Sequence, residues 1–158
     1  MRLLRLQIVP LAALLAFSGC TFMTNEERLI RETVQQLLTA AQNNDEDAAH
    51  AILLDVNGFM TLNPDAGVRS DAAAFSDAVL SDLITNFRNM VKFIDGKEVK
   101  VKRFHLGSQW YQYKGFPAFK ESQATISVEG ESADFTIRGM VKINNQWRVV
   151  DLSDNGLF

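Results

Sequence analysis

Two histidines, one cysteine and a thin scatter of carboxylates are the side chains of this 158-residue chain most able to do chemistry. His50 and His105 each lack a second His, a Cys or a carboxylate at ligand spacing, so the pattern points to no metal and no other cofactor. The acid/base set worth naming is His105 with Asp151 or Asp55, which would abstract a proton if the fold brought them into one pocket. No glycine-rich phosphate loop and no serine-centred nucleophile elbow occurs. The residues therefore read as those of a binding or assembly module, with a small-molecule isomerase or hydrolase as the rival.

Binding chemistry is concentrated between Trp110 and Phe119, where Trp110, Tyr111, Tyr113, Phe116 and Phe119 gather around a bend marked by Gly115 and Pro117. Such rings can line a pocket mouth or anchor a protein partner, and they can equally plug the open end of a sheet. The interleaved Gln109, Gln112, Lys114 and Lys120 keep the segment too polar to be wholly buried. Further on, a two-residue turn at Asn144-Asn145 pairs Ile143 with Gln146, which sets Lys142 opposite Trp147, Met140 opposite Val149 and Arg138 opposite Asp151. An Arg138–Asp151 ion pair is expected, either on the surface or as a polar anchor for a ligand. The opposite face, with Phe135, Ile137, Val141, Val150 and Leu152, is the more apolar and is expected to meet the helices. A one-residue slip would reverse part of that assignment. The basic run Lys97, Lys100, Lys102 and Arg103 either steers an anionic partner or suppresses edge pairing.

Composition limits what these residues can belong to. With 47% hydrophobic and 22% charged residues, three Pro and nine Gly, the chain has the make-up of one globular domain. A formal charge of −3 argues against nucleic acid as a partner, and a lone cysteine closes neither an intrachain disulfide nor a thiolate zinc cluster. Arg2 and Arg5 precede the apolar stretch Ile8 to Phe17, and Ser18 and Gly19 follow it, which is the order of a secretory signal peptide. That stretch is too short for the roughly 20 residues that span a bilayer.

Phe17-Ser18-Gly19-Cys20 resembles the lipobox of bacterial lipoproteins, with Phe17 where the family usually carries Leu. The resemblance implies residues 1–19 as a signal peptide, cleavage before Cys20, acyl chains on Cys20, and residues 20–24 as a short tether. The membrane is then a partner through the N-terminal lipid. Each buried methylene contributes about 0.8 kcal/mol, so two or three chains hold where one exchanges. Loss of Arg2 and Arg5 takes the formal charge from −3 to −5, which leaves the anchoring to the lipid. Thr21 stands where Asp commonly retains lipoproteins at the inner membrane. A cell-envelope address, on the outer membrane facing the periplasm in a diderm source, follows by resemblance.

The elements that position the rest occupy residues 25–158. Thr24 and Glu27 form a capping box, and Ile30, Val34, Leu37, Leu38 and Ala41 recur with helical period, predicting a helix over about 25 to 43. Asn44 or Asp45 can cap a second short helix that ends near Asp55. Asn57-Gly58, Asn63-Pro64 and Ala66-Gly67 read as turn signals, so 56 to 69 is expected to be a loop. A third helix is expected from Ser70 or Asp71 to about Ile94, with Ala72, Phe75, Val79, Leu80, Leu83, Ile84, Phe87, Met90 and Val91 as the longest buried stripe. From Glu98 the period falls to two, giving strands through Val101, Ile126, Phe135 and Ile143 to Ser153, with turns at Gly130 and Asn144-Asn145.

Helices first and an antiparallel meander afterwards make an α+β domain with the helices packed on a curved sheet. The first helix, Glu26 to Ala41, and the closing hairpin Gly139 to Asp151 resemble the NTF2-like (SnoaL-like) superfamily, a cone with a pocket between helices and sheet. Trp147 to Gly156 also resembles the end of a periplasmic phospholipid-carrier family of related architecture. The function expected of such a domain is a non-catalytic module for a protein partner or an apolar ligand, with an enzyme that has its chemistry in the cone, or a lipid-binding protein, as the alternatives.

Overall fold

The computed structural model describes residues 24–64, 74, 76–107 and 109–153, without the side chains of 76, 77 and 109–111. Cys20 and the segments 65–73 and 154–158 lie outside the described residues. Helix α1, Asn25–Gln42, opens as expected: the Thr24 hydroxyl accepts from the Glu27 N–H at 3.2 Å and Glu27 accepts from the Thr24 N–H at 2.6 Å. Its stripe Ile30, Val34, Leu37, Leu38 and Ala41 is buried. Asp45 then caps α2, Glu46–His50, by accepting from the Ala48 N–H at 2.9 Å.

The expected loop after Asp55 holds a helix. Residues Val56–Leu62 form α3, capped by Asp55, which accepts from the Gly58 N–H at 2.7 Å. Asn57-Gly58 is not a turn because Gly58 serves packing: a Cβ there would lie 2.7 Å from Leu54 Cδ1 and 3.5 Å from Ile143 Cδ1. The last helix is present over its described part, where residue 74 is helical, and it carries one irregularity. A π-helical turn, Ser76–Leu80, precedes α4, Ser81–Ile94. The buried stripe of α4 is Leu83, Phe87, Met90 and Ile94, whereas Val79 is 38% exposed and Leu80 packs in a different cluster. Among the described residues the longer buried stripe belongs to α1, because the π-helical turn before α4 puts Val79 and Leu80 off the face that meets the main core; Ala72 and Phe75 lie outside the described residues.

Five antiparallel strands follow: β1 Val99–His105, β2 Gln109–Tyr113, β3 Phe116–Val128, β4 Glu131–Ile143 and β5 Gln146–Ser153. The sheet is open, in the order β1-β3-β4-β5, with β2 paired to β3 beyond the end of β1. Two-residue turns at Lys114-Gly115, Glu129-Gly130 and Asn144-Asn145 have positive φ at both positions, which suits the twist of a hairpin. Ile143 pairs with Gln146 and Lys142 with Trp147, as the turn requires.

A line of irregularities bends the sheet. Glu121 on β3 has φ 60°, and the β4–β5 register shifts at Gly139, so Gly139 rather than Arg138 faces Asp151. Side-chain parity therefore reverses along each strand. On β4, Ala133, Phe135 and Ile137 and then Met140 reach the main core under α1 and α4, while Val141 and Ile143 turn to the outer face. On β3, Ile126 and Ala124 give way to Phe119, and on β5 Leu152 gives way to Val149 and Trp147. The expected split of faces is thus correct for Phe135, Ile137 and Leu152 and reversed for Val141 and Val150. The outer face of the lower half is covered by α3 and Leu80, forming a second cluster with Leu54, Leu62, Ala118, Val141 and Ile143.

Each outer strand, β5 and β1, is met locally by another element. Leu53 bridges Val149 in parallel, with Leu54 N–H donating to the Val149 carbonyl at 2.8 Å. On the other side the α1 side chains Gln42 and Gln35 accept from the Val99 and Val101 N–H groups at 3.4 and 3.3 Å. The basic run lies on exposed or half-exposed positions, where Lys97 pairs with Glu129 at 3.6 Å and Lys100 with Glu98 at 2.8 Å.

Helix α1 is fastened to the last hairpin by Glu26, which accepts from Lys142 Nζ at 2.7 Å and from Trp147 Nε1 at 3.0 Å. The Lys142 hydrogen bond, aided by Trp147 and opposed by partial burial, holds the Glu26 carboxyl below its ordinary pKa. A carboxylate depressed in the folded state stabilises above its unfolded pKa, and that contribution disappears as pH falls through the folded one. Stability should therefore decline from about pH 5 downward. Glu26→Gln should flatten part of this slope in denaturant titrations at stepped pH; an unchanged slope would remove Glu26 from the account.

Candidate functional site

The acid/base residues do not converge. His105 is exposed on β1 opposite Gln123, and Asp151 is exposed on β5 opposite Gly139, three strand spacings or roughly 14 Å apart across the sheet. Asp55 is engaged as the α3 cap. Arg138 is exposed on β4 and forms no ion pair with Asp151, because the register shift at Gly139 skips it. That expectation is corrected by the irregularity, which a count from the turn does not see. Among the described residues no group of three His, Cys, Asp or Glu could hold a metal, and no helix is long and apolar enough to cross a membrane.

The aromatic cluster divides. Phe119 is buried and meets the Trp147 ring edge to face, centroids 6.0 Å apart at 87°, filling the interior between α1 and the sheet. Tyr113, at the end of β2, is 41% exposed. Trp110 and Tyr111 lie on the same strand, and their side chains are outside the described residues.

Two concavities stand out among the described residues. One is a groove of about 690 Å³ between α1, α2 and the β4–β5 turn. It includes Gln35, whose Oε1 accepts from the Val101 N–H, and Trp147, whose Nε1 donates to Glu26. The other is a pocket of about 260 Å³ on the outer face, where α3 and the π-helical turn flank β4 and β5. Its wall is Leu54, Phe59, Leu62, Val141 and Val150, with the exposed Val79 and Tyr113 on its rim and the Asn63 amide and Tyr113 hydroxyl as polar side-chain groups. An apolar concavity with few polar groups is the usual form of a small ligand site.

The chain builds this pocket by simple means. Asp55 starts α3 and Gly58 lets it press on the sheet, so that Phe59 and Leu62, three residues apart, point the same way. The bend turns Val141 and Val150 outward to meet them. At the mouth, Asn63 Nδ2 donates to the Phe59 carbonyl at 2.8 Å, and Lys114 Nζ donates to Asn63 Oδ1. The Lys114 ammonium lies 5.8 Å from the Tyr113 ring centroid, and no described carboxylate pairs with it.

Of the candidate binding residues, Tyr113 is on this rim, and the side chains of Trp110 and Tyr111 lie outside the described residues. Leu54, Phe59, Leu62 and Val79 were missed as site residues because Asn57-Gly58 and Asn63-Pro64 concealed α3; the Phe59–Leu62 spacing was the one available signal. Val141 and Val150 were legible as apolar, but not as members of the outer face. Compared with known protein families, curated proteins and solved structures, the chain gives no match.

Proposed function

We propose that this chain is a membrane-anchored, non-catalytic binding or assembly module, acylated at Cys20, that recognises a protein partner or an apolar ligand through the outer-face pocket. The observation that carries the recognition half is the open apolar pocket with Val79 and Tyr113 exposed on its rim. Large exposed apolar groups beside a concavity are what hot spots and ligand mouths require. The anchoring half rests on the lipobox resemblance at Phe17-Ser18-Gly19-Cys20 and implies a place in the cell envelope. An NTF2-like ancestry is proposed on the order of elements, helices before a bent antiparallel sheet.

The two halves are tested separately. Cys20→Ser should release the protein from the membrane fraction and abolish uptake of labelled lipid, because a hydroxyl does not replace the thiol in diacylglyceryl transfer. Wild-type protein that takes up no label would end the anchoring reading. Val79→Asp and Tyr113→Ala should each weaken capture of what co-purifies with the protein from membranes by about tenfold, while the unfolding midpoint stays near wild type. Undiminished capture by both variants would end the recognition reading.

A further inference from the structure

We propose that the outer-face pocket takes the tail of a single-chain amphiphile with an anionic head group, and that the Lys114 ammonium receives the head. The proposal rests on the reading of this pocket as the recognition site and specifies its ligand class. Three observations carry it. The wall is made of the apolar side chains Leu54, Phe59, Leu62, Val141 and Val150, which suit a hydrocarbon tail. The polar side-chain groups on the lining are the Asn63 amide and the Tyr113 hydroxyl, and Asn63 accepts from Lys114, which sets a cation beside the pocket. Among the described residues the partner of that cation is a neutral amide and no carboxylate, an arrangement that favours an incoming anion.

Size limits the tail. A cavity of about 150 Å³ accommodates the six carbons of benzene, so roughly ten carbons fit into a pocket of about 260 Å³. A chain of that length is shorter than a membrane acyl chain, and its further methylenes would stand in water beyond the Tyr113 rim. Affinity should therefore climb steeply with length and then level, which an open greasy surface would not produce.

The test uses the full chain in lipid nanodiscs, with empty nanodiscs as background, and a ten-carbon fatty acid bearing a diazirine as the probe. Photolysis should label peptides carrying Leu54 to Leu62, Val79 or Val141 to Val150. In competition against free carboxylates, affinity should rise roughly fourfold per methylene and level near ten carbons. Decanoate should outcompete decanol and decyltrimethylammonium by about fivefold, and Lys114→Asn, with a residue at ease at the positive φ of this turn, should abolish that preference. Decyl phosphate is the second anionic arm: preference for it over decanoate identifies the head group as phosphate, and the reverse order identifies a carboxylate.

Decanol that competes as well as decanoate in the wild type overturns the anionic head group and leaves the pocket reading intact. Affinity that keeps rising through sixteen carbons overturns the confined tail. Labelling confined to the groove between α1 and α2, or none with any probe, overturns the proposal. If Val79→Asp and Tyr113→Ala then also leave membrane capture unchanged, the recognition reading falls with it.

Discussion

Gly107→Ala is expected to destabilise the fold by about 3 to 5 kcal/mol, far more than an alanine at an ordinary loop glycine. Gly107 lies where the chain passes from β1 to β2, both of which pair with β3 on either side of Glu121. A Cβ on Gly107 would stand 2.2 Å from the Glu121 carbonyl oxygen and 2.3 Å from that of Lys120. Both neighbours are backbone, held by the Lys120–Gly139 and Ser122–Ile137 pairs, so neither can rotate away as a side chain would. Relief requires the backbone of the β1–β2 connection or of β3 at Glu121 to shift, which strains the contact between the Gly107 N–H and the buried Ser122 hydroxyl at 3.4 Å. Gly96→Ala is the comparison: φ is 71° there and the space is open, so the cost should be about 1 kcal/mol from conformation alone. Urea midpoints for the two variants separate the mechanisms. Equal shifts would show that the crossing at Glu121 is loose.

Phe87→Ala should cost about 3 to 5 kcal/mol by the removal of a fully buried ring. Phe87 is in the middle of the α4 stripe, between Leu83 and Met90, and belongs to the main core that α1 and the sheet share. The neighbouring elements are stitched around it: Arg88 makes a two-pronged pair with Glu46 of α2 at 2.5 and 3.2 Å, and Asn86 donates to the Leu152 carbonyl at 2.8 Å. Those links keep α4 in place, so the cavity left by alanine cannot collapse fully. Val79→Ala, four residues before Leu83, should change the midpoint by less than about 0.5 kcal/mol, because Val79 is on the rim of the outer pocket. A periodicity count treats the two positions alike; the melting curves should not. A Phe87→Ala midpoint within error of wild type would mean that α4 presents another face.

Several local features were legible from adjacent residues. The Thr24–Glu27 box, the Asp45 cap, the Glu129-Gly130 and Asn144-Asn145 turns and the Lys142–Trp147 pairing each depend on groups within a few positions of one another. The α+β order follows from the change of period at Glu98. Capping and turn conformations are set by local sterics and short hydrogen bonds, and so they are written in short stretches of chain.

The sequence by itself thus determined the class of the fold, the capped helix α1, the antiparallel strands and two of their turns. Tertiary structure alone decided which side of the sheet each apolar residue serves. Period two in a strand records alternation and carries no sign, so one extra residue at Glu121 or Gly139 exchanges the faces from there onward. Arg138 was thereby moved off Asp151, and Val141 and Val150 were sent outward. Helix α3 was decided in the same way, since Gly58 is favourable only against Leu54 and Ile143, contacts that exist once the sheet has formed. The pocket joins residues 54 to 63, 79, 113, 141 and 150, which no local rule connects. Their meeting is a property of the bend, whose energy comes from burying two apolar clusters on opposite faces of one sheet.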